Sequence, residues 1–458
     1  MTEKTERIES VEQANEAIRE ASPALHDALS PLGRRAFFPA DIPFQAAQAR
    51  GKRYNGTIGQ ITDGRGRAVP LPSMEAGLSD LPEAARNRAF LYSPVEGIAE
   101  LRRLWREWQR RLPGIPEGVR STLPVVTAGL THGLSLVADL FAGPERTVAV
   151  PRPFWGNYRQ SFALRTGARL VSAPAYAVSG ATSEDGPRFD PRALERALEA
   201  ADLPAGEPAV AILNLPSNPG GYSPTPAERE EIAASLVRVA ETRPLVVLCD
   251  DAYAGLVYDE GIPARSMFWD LEGRHPSLVP VKVDGATKEL SYFGGRVGFL
   301  TLPFEPGSPA AEALESKTKC LVRAGIGSPV ATGQVLALQA LESGRVAEEV
   351  EAVRRLLAAR HGVLRKALAG CDPALVRPLP FNSGCFALLE LGPRARGAGL
   401  TADAVRRHLL EAEDTGVVAV GEEYLRIAYC SVAEDDLPEL VERLERGLRT
   451  LAAAPVAE

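Results

Sequence analysis

The sequence predicts an α/β protein, with a large domain built on a mostly parallel, helix-covered sheet and a smaller α+β domain built from both termini. Short apolar runs of strand length alternate with helical patterns. The runs are apolar at consecutive positions and rich in Val, Leu and Ile, as in strands covered on both faces. Polar residues follow several of these runs, at the carboxyl ends of the predicted strands, which is where open α/β sheets bind their ligands. The runs cover 124–127, 147–150, 169–172, 209–213, 245–248, 279–283 and 297–302.

The sequence around these runs predicts the domain organisation. Residues 9–20 have the polar amphipathic pattern of a helix, and sequence punctuated by Pro and Gly continues to about residue 72. We therefore expect three segments. They are an N-terminal arm over 1–72 that packs on the small domain, a large domain over 73–345 and a small C-terminal domain over 346–458.

Several single elements follow from the same patterns. The stretch 125–142 predicts a strand that runs into a buried helix, and 179–187 predicts a surface loop. A helical pattern rich in Ala, Glu, Leu and Arg spans 329–370 and leads into the small domain. There we expect strands at 385–391 and 424–429, a terminal helix near 434–452 and a frayed tail over 452–458.

Composition and charge narrow the class of protein. The chain has 458 residues, of which 45% are hydrophobic and 24% charged, as in an ordinary globular protein. A net charge of −7 argues against a general attraction to nucleic acid or to anionic lipid. The charged N-terminal residues are not followed by an apolar segment, which argues against a secretory signal. No apolar stretch has the pattern of a membrane-spanning helix.

Cysteine and histidine spacing indicates the compartment and argues against a metal site. The five cysteines are scattered and never form a C-x-x-C pair, so neither a disulfide framework nor a thiolate cluster is expected. The five histidines show no H-x-H or H-E-x-x-H spacing. We expect a cytoplasmic protein with no structural metal.

Five residues with complementary chemistry follow the apolar runs. They are the amide Asn218, the carboxylate Asp250, the phenol Tyr253, the amine Lys288 and the guanidinium Arg296. A neutral lysine forms a Schiff base with an aldehyde, and a carboxylate pairs with a protonated pyridine nitrogen. Taken singly, a lysine is usually a solvated surface charge, and the alternative for Asp250 is that it caps a following helix. Together they predict an enzyme that holds pyridoxal phosphate (PLP) as an electron sink.

The phosphate and ring of such a cofactor also have candidate partners. Gly129 lies at a turn between a strand and an apolar helix, where backbone N–H groups and the helix dipole bind anions. Arg296 would clamp the same phosphate, and Trp155 would stack on the ring. His132 could contact the ring, but a helix histidine whose own hydrogen bonds are satisfied is the favoured interpretation.

The ordered motifs resemble those of a known family. N-P-x-G stands at 218–221, D-x-A-Y at 250–253, S/T-K at 287–288 and G-x-R-x-G at 294–298. In this order they resemble a fold-type I, class I/II aminotransferase. The resemblance implies PLP, transfer of an amino group from an L-amino acid to a 2-oxo acid, and a homodimer with active sites at the subunit interface. It adds Leu130, Thr131 and Thr287 to the cofactor-binding set.

Finer similarity is to the aspartate aminotransferase branch. The segment 55–64 resembles a loop that would place Gly59 beside the substrate, and 92–101 a segment whose tyrosine, here Tyr92, reaches the phosphate of the partner subunit. The segment 153–157 is similar to P-x-W-x-N, which carries the stacking Trp155.

The same branch supplies candidate substrate residues. Arg426 stands where the family holds the substrate α-carboxylate, and the resemblance also adds Asn218 and Trp155 to the substrate-binding residues. Arg323 resembles an arginine that is donated across the dimer and reads a distal carboxylate. That residue would imply a dicarboxylic substrate, similar to aspartate or glutamate.

The lysine segment departs from the family pattern. Gly285 replaces the hydroxyl residue that usually precedes the lysine by three positions, and 284–289 is an unusual version of this loop. The corresponding phosphate hydrogen bond is then missing, or supplied by Thr287 or Thr131. Leu130 holds a position that is often polar in relatives. These departures leave the choice of substrate open.

Two other functions share the scaffold. A PLP-dependent lyase, catalysing β-elimination, C–S cleavage or decarboxylation, would use the same residues. Release of ammonia and pyruvate without a keto acceptor would favour this function. A non-catalytic effector-binding module would need a basic helix-turn-helix extension. The residues before 55 are too few and too acidic to supply one.

Overall fold

The structure is a computed structural model that describes residues 10–38, 41–177 and 187–453. Apart from Pro187, the expected surface loop at 179–187 lies outside these residues, as do 454–458 of the expected tail. Its strands are β1 Tyr54–Asn55, β2 Val125–Thr127, β3 Thr147–Ala149, β4 Arg169–Val171, β5 Tyr176–Ala177, β6 Arg188–Phe189, β7 Ala209–Asn214, β8 Leu245–Asp250, β9 Leu278–Gly285, β10 Gly298–Thr301, β11 Val376–Pro378, β12 Ala387–Leu391, β13 Thr415–Gly416, β14 Val418–Val420 and β15 Tyr424–Ile427.

The α-helices outnumber the strands. They are α1 Val11–Ala21, α2 Pro23–Ala28, α3 Pro31–Arg35, α4 Ile42–Gln48, α5 Pro72–Ser79, α6 Glu83–Phe90, α7 Ala99–Arg110, α8 Leu130–Phe141, α9 Ala193–Glu199, α10 Pro226–Ala240, α11 Phe268–Leu271, α12 Ala286–Glu289, α13 Pro309–Ile326, α14 Ala331–Glu342, α15 Val346–Leu368, α16 Pro393–Gly397, α17 Ala402–Ala412 and α18 Leu437–Ala453. A π-helical segment spans Arg159–Leu164. In the described part of the chain, no helix has both the length and the apolar character needed to cross a membrane.

The large sheet contains the seven strands that the apolar runs predicted. Its order is β2-β10-β9-β8-β7-β3-β4, with parallel pairing from β9 through to β4. One strand departs from the parallel pattern, because β10 runs antiparallel to both of its neighbours. Only residues 286–297 join β9 to β10, and they fold into the turn that carries Lys288 instead of a full crossover. The fold is therefore α/β with a mixed, mostly parallel sheet.

Burial explains why consecutive apolar residues predicted these strands. Every residue of β7 from Ala209 to Leu213 is buried, and only Asn214 at its carboxyl end is less so. The core of the large domain packs against both faces of the sheet. The polar residues that end the strands are thereby brought to one edge.

The small domain is an antiparallel sheet covered by helices. Its order is β11-β12-β15-β14, and its core includes residues of α15, α17 and α18. The stretch 329–370 forms two helices, α14 and α15, and not one continuous helix. Gly344 has a φ of +70° between them, a conformation that ends a right-handed helix.

Part of the N-terminal segment packs on the small domain. Strand β1 pairs in parallel with β13, and the side chain of Gln45 exchanges two hydrogen bonds with the backbone of Ala419, at 3.1 and 2.8 Å. Arg35 instead donates to the carbonyl of Leu164 in the large domain at 3.3 Å. The arm therefore contacts both halves of the chain and lies beside the cleft between them.

Candidate active site

A cavity of about 340 Å³ lies at the carboxyl ends of the central strands. Asn214 ends β7, Asp250 ends β8, and Lys288 follows β9 on the short helix α12. Because these strands are parallel, their ends meet at one edge of the sheet. The cavity is lined by Ile42, Ile58, Gly59, Gln60, Leu130, Thr131, Trp155, Asn214, Asn218, Asp250, Ala252, Tyr253, Thr287, Lys288, Phe293, Arg296, Phe386 and Arg426.

Lys288 presents its amine to this cavity. Its Nζ atom lies 5.2 Å from the centre of the Tyr253 ring. Burial lowers the pKa of the Lys288 amine from its ordinary value, and the nearby Arg296 cation lowers it further, while Asp250 opposes both. A larger fraction of the amine is therefore neutral at a given pH, as attack on an aldehyde requires.

Asp250 is held by two neighbours. The hydroxyl of Tyr158 donates to its Oδ2 at 2.6 Å, and Asn214 donates to its backbone carbonyl at 2.9 Å. Burial raises the pKa of the Asp250 carboxyl, and the hydrogen bond from Tyr158 and the charge of Lys288 oppose this. Oδ1 is buried and has no hydrogen-bond partner among the described residues. A cationic ring nitrogen fits this vacant acceptor.

The alternative that Asp250 caps a helix is wrong. A turn follows Asp250, and α11 begins only at Phe268. The partner that sequence analysis missed is Tyr158. It lies three positions after Trp155, and nothing in its local spacing indicates that its hydroxyl meets a residue 92 positions away.

A second corner of the cavity suits an anion. Gly129 precedes α8 with a φ of +81°, and a Cβ at this position would lie 2.3 Å from Nη2 of Arg296. Only glycine allows the guanidinium to pack against this turn. Leu130 and Thr131 begin α8, and the Thr287 hydroxyl is buried with no partner among the described residues. Helix N–H groups, a guanidinium and a free hydroxyl together match a phosphate.

His132 lies close to this corner but is otherwise engaged. Its Nδ1 accepts a hydrogen bond from the backbone N–H of Ala128 at 3.0 Å. The interpretation of His132 as a satisfied helix histidine is therefore correct.

Arg426 places a buried positive charge at the opposite end of the cavity. Its guanidinium donates to the Thr57 carbonyl at 2.7 Å and to Oδ1 of Asn218 at 3.1 Å, and lies 4.4 Å from the centre of the Phe386 ring. Its Nε is buried without a partner among the described residues. Burial lowers the pKa of Arg426, and the more distant charge of Asp41 opposes this; an arginine keeps its proton at neutral pH. A buried cation without an ion-pair partner among the described residues favours an anionic ligand.

Local contacts fix the remaining cavity residues. The Asn214 side chain accepts from the backbone N–H of Asn218 at 2.7 Å. Tyr253 packs edge-on against Phe386, with ring centres 5.4 Å apart. A Cβ at Gly59 would lie 2.8 Å from the Phe386 ring, so a larger residue would displace that ring. Phe386 is a further residue that sequence analysis missed.

Tyr92 and Arg323 stand apart from the cavity. Tyr92 is 97% exposed, and Arg323 is exposed on α13. Neither lines the cavity of its own chain. Both roles were expected to act on a partner subunit, so they remain predictions.

The departure at Gly285 has a steric reason. Gly285 faces Gly298 across β9 and β10, and a Cβ there would lie 2.6 Å from the Val297 carbonyl oxygen. A hydroxyl side chain therefore cannot occupy position 285 in this structure. The two predicted substitutes, Thr287 and Thr131, both line the cavity.

Comparison with known proteins decides the family. The sequence model of the family described as aminotransferase class I and II matches residues 57–444. The chain belongs to the class I and II aminotransferase family. It is a PLP-dependent transaminase, as the combined motifs predicted. It is 30% identical over 380 residues to a 2-aminoadipate transaminase of Thermus thermophilus, covering 80% of this chain and 83% of that enzyme. It is 23% identical to an aspartate aminotransferase of Pyrococcus horikoshii, covering 78% and 83%.

Solved structures show the same fold for this aminotransferase. An aminotransferase of Anaerococcus prevotii matches with a TM-score of 0.76 at 19% identity, covering 92% of this chain and 98% of that one. The α-aminoadipate aminotransferase LysN of Thermus thermophilus, solved with N-(5'-phosphopyridoxyl)-L-leucine, matches with a TM-score of 0.69 at 24% identity, covering 94% and 99%. The fold is that of the fold-type I aminotransferases.

The polar groups without partners in the cavity fit the cofactor of this family. PLP supplies, when bound, an aldehyde that reacts with amines and a ring that withdraws electrons from the substrate. The free acceptor of Asp250, the free hydroxyl of Thr287 and the amine of Lys288 correspond to the three polar ends of such a molecule.

Proposed function

We propose that this aminotransferase moves the amino group of an acidic L-amino acid to a 2-oxo acid. The proposal depends on one observation above all. A buried guanidinium without an ion-pair partner among the described residues, that of Arg426, lines the same cavity as the amine of Lys288. A substrate whose α-carboxylate is held by Arg426 would present its α-amino group and α-hydrogen toward Lys288.

Each cavity residue has a role in this proposal. Lys288 would hold the cofactor and would carry a proton to and from the substrate carbon. Asp250 would pair with the ring nitrogen, and Tyr158 would keep Asp250 ionised and oriented. Tyr253 and Asn218 would bind the phenolic oxygen, and Trp155 would contact the face of the ring. The phosphate is assigned to Gly129, Leu130, Thr131, Thr287 and Arg296, with Tyr92 of a second copy.

The choice of an acidic substrate is supported by a second cavity. A cleft of about 890 Å³ shares Ile42, Trp155 and Asn218 with the inner cavity. Arg152 and Arg159 line it, and neither forms an ion pair with a carboxylate of the described residues. A side chain that extends from the inner cavity past Trp155 would meet these two cations.

The cleft also carries acidic side chains. Asp41 lies against Gly156 and accepts from the backbone N–H of Ile42. Asp403 is paired with Arg406, whereas Glu422 and Glu423 lie at the exposed rim on the small domain. The two free arginines follow β3 in the large domain, on either side of Trp155 in the sequence. Arg323 of a second copy is the other candidate for binding a distal carboxylate of the substrate. The similarity to a 2-aminoadipate transaminase also favours an acidic side chain.

A homodimer is part of the proposal. Phe90 is 86% and Leu91 58% exposed beside Tyr92, and Ile326 and Val330 are also exposed apolar residues. These two segments are neighbours, because Ser93 Oγ donates to the Pro329 carbonyl at 2.7 Å and Thr332 Oγ1 to that of Ala89 at 3.2 Å. A continuous apolar surface of this kind favours a protein partner. A second copy would cover it and bring Tyr92 and Arg323 near another active site.

The half-reaction tests the substrate class. The PLP-loaded protein would be mixed with L-2-aminoadipate, L-glutamate, L-aspartate or L-phenylalanine, and the absorbance followed without a keto acid. Conversion of the cofactor to its pyridoxamine form should be fastest with one of the three acidic amino acids. Equal or faster conversion with L-phenylalanine would refute the acidic preference. Release of ammonia and pyruvate in place of the pyridoxamine form would favour the lyase alternative.

A further inference from the structure

The short helix that carries Lys288 is attached at both ends to α7. Asp284 precedes this helix and Glu289 ends it, and both carboxylates are buried. The indole N–H of Trp105 lies 3.2 Å from each oxygen of Asp284. The indole N–H of Trp108 donates to Oε1 of Glu289 at 2.7 Å. The two indoles therefore hold the backbone immediately before and after the lysine turn.

Further contacts complete each attachment. The Gln109 amide donates to Oε2 of Glu289 at 3.0 Å, and Arg111 lies 3.5 Å from Oε1. Lys282 forms a buried ion pair with Asp284. Every oxygen of the two carboxylates thus has a donor from the protein. Neither carboxylate lines the cavity, so neither is available to substrate.

The face of α7 that makes these contacts is itself fixed. Trp105, Trp108 and Gln109 are spaced by three and four positions, so they lie on one side of the helix. The ring of Trp105 stacks on Phe299 of β10, with centres 4.2 Å apart and an angle of 12° between the planes. The lysine turn is therefore linked through α7 to the sheet.

Two buried acids beside an active-site lysine are a costly arrangement. Burial raises the pKa of Glu289, a sign that its charged form is desolvated. Apolar residues would fill the same space without this cost. Directional hydrogen bonds fix the orientation of the backbone, which apolar packing alone does not do.

We propose that Asp284 and Glu289 are positioning residues, which hold the turn so that the Lys288 amine stays at one place in the cavity. The inference rests on the proposed role of Lys288 in holding the cofactor. It also explains the unusual sequence of the lysine segment, because the acids at 284 and 289 are matched by the tryptophans at 105 and 108. A displacement of the amine by about 1 Å costs on the order of a hundredfold in rate.

Three variants of the PLP-loaded enzyme and one control test this role. Glu289→Ala removes the acceptor, Glu289→Gln keeps an acceptor for Trp108, and Trp108→Phe keeps a ring but removes its donor. The control is Glu195→Ala, which removes a buried carboxylate that pairs with Arg192 and Arg238 and does not line the cavity. For each, kcat and KM would be measured, together with the pH midpoint of the absorbance change of the lysine-bound cofactor.

The expected result is a graded loss. Glu289→Ala should lower kcat by tenfold or more with KM nearly unchanged, on the order expected for a misplaced amine. Its absorbance midpoint should move upward, because the Lys288 nitrogen that bonds the cofactor would be held less firmly and better hydrated, which favours its protonated form. Trp108→Phe should change both quantities in the same direction by less, and Glu289→Gln should stay close to wild type.

A wild-type kcat and midpoint in Glu289→Ala would overturn the positioning role, as would an equal change in Glu195→Ala. If Glu289→Ala does not fold, Trp108→Phe decides by the same two quantities. Failure of the proposed function is distinguishable, because Lys288→Ala would then keep the lysine-bound absorbance band. An unchanged kcat and midpoint in Glu289→Ala, with the band lost in Lys288→Ala, refute only the positioning role.

Discussion

The Tyr158 hydroxyl donates a 2.6 Å hydrogen bond to Oδ2 of Asp250. Tyr158 is itself buried and packs edge-on against Trp155, with ring centres 5.8 Å apart. The bond therefore fixes one oxygen of the carboxylate and leaves Oδ1 directed at the cavity. Through Tyr158, Asp250 is linked to Trp155. These two residues are assigned to the ring nitrogen and to the ring face of the cofactor.

Removing this hydroxyl should weaken the electron sink. In Tyr158→Phe the pKa of Asp250 should rise further, because the hydrogen bond that lowers it is lost while burial remains. A hydrogen bond to a charged group contributes roughly 1.5–3 kcal/mol, which corresponds to a kcat reduced about tenfold or more. The acid limb of the kcat profile should move to higher pH. The control is Tyr222→Phe, which loses a 2.7 Å bond to Glu228 outside the inner cavity; an equal effect there would contradict the assignment.

Lys288→Ala should abolish turnover and the absorbance band of the lysine-bound cofactor. The amine is the group assigned to bond the aldehyde, and an alanine offers no nucleophile. Spectroscopy of the purified variant after incubation with PLP measures this directly. Lys366→Ala, which changes an exposed lysine at the end of α15, should retain both properties. Turnover by Lys288→Ala at the wild-type rate would contradict the proposed role.

Substitution of Arg323 and of Arg159 should show which of the two arginines binds a distal carboxylate of the substrate. Loss of one charged hydrogen-bonding partner should raise KM for L-2-aminoadipate or L-aspartate by about tenfold and leave L-phenylalanine little changed. Arg323→Ala should show this effect if the partner subunit reads the side chain. Arg159→Ala should show it if the outer cleft does. Unchanged discrimination in both variants and in Arg152→Ala would remove the structural reason for an acidic substrate.

Asp251 should make the stability of the protein pH dependent. Its Oδ2 is buried without a partner among the described residues, and burial raises the pKa of its carboxyl from 3.8 to about 7. A raised folded-state pKa means that its contribution to stability is full below about pH 4 and is lost as pH rises toward 7. The expected decline is roughly 1.4 kcal/mol per pH unit in that window.

Denaturant unfolding of the wild type and Asp251→Asn, without added PLP, measures this contribution. The difference in unfolding free energy between the two proteins should change steadily in favour of the variant from pH 4 to pH 7. A difference that stays constant across the window would show that Asp251 does not titrate there.

Local sequence was sufficient for most of the large domain. The seven strands of its sheet were predicted because each is apolar at consecutive positions, which reflects burial on both faces. The position of the cavity was predicted for the same reason, since Asn218, Asp250 and Lys288 follow strands whose ends meet. The orientation of β10 was not predicted, because it depends on whether residues 286–297 form a short turn or a full crossover.

The sequence by itself determined the family and the cofactor, because the motifs that carry them are short and stand in a fixed order, and the same motifs predict the reactive groups. Only the tertiary structure decided which side chains surround those groups. Tyr158 meets Asp250 across 92 positions, and Trp108 meets Glu289 across 181. Such pairs leave no periodic pattern along the chain, because the contact is made by the packing of one element on another and not by either segment alone.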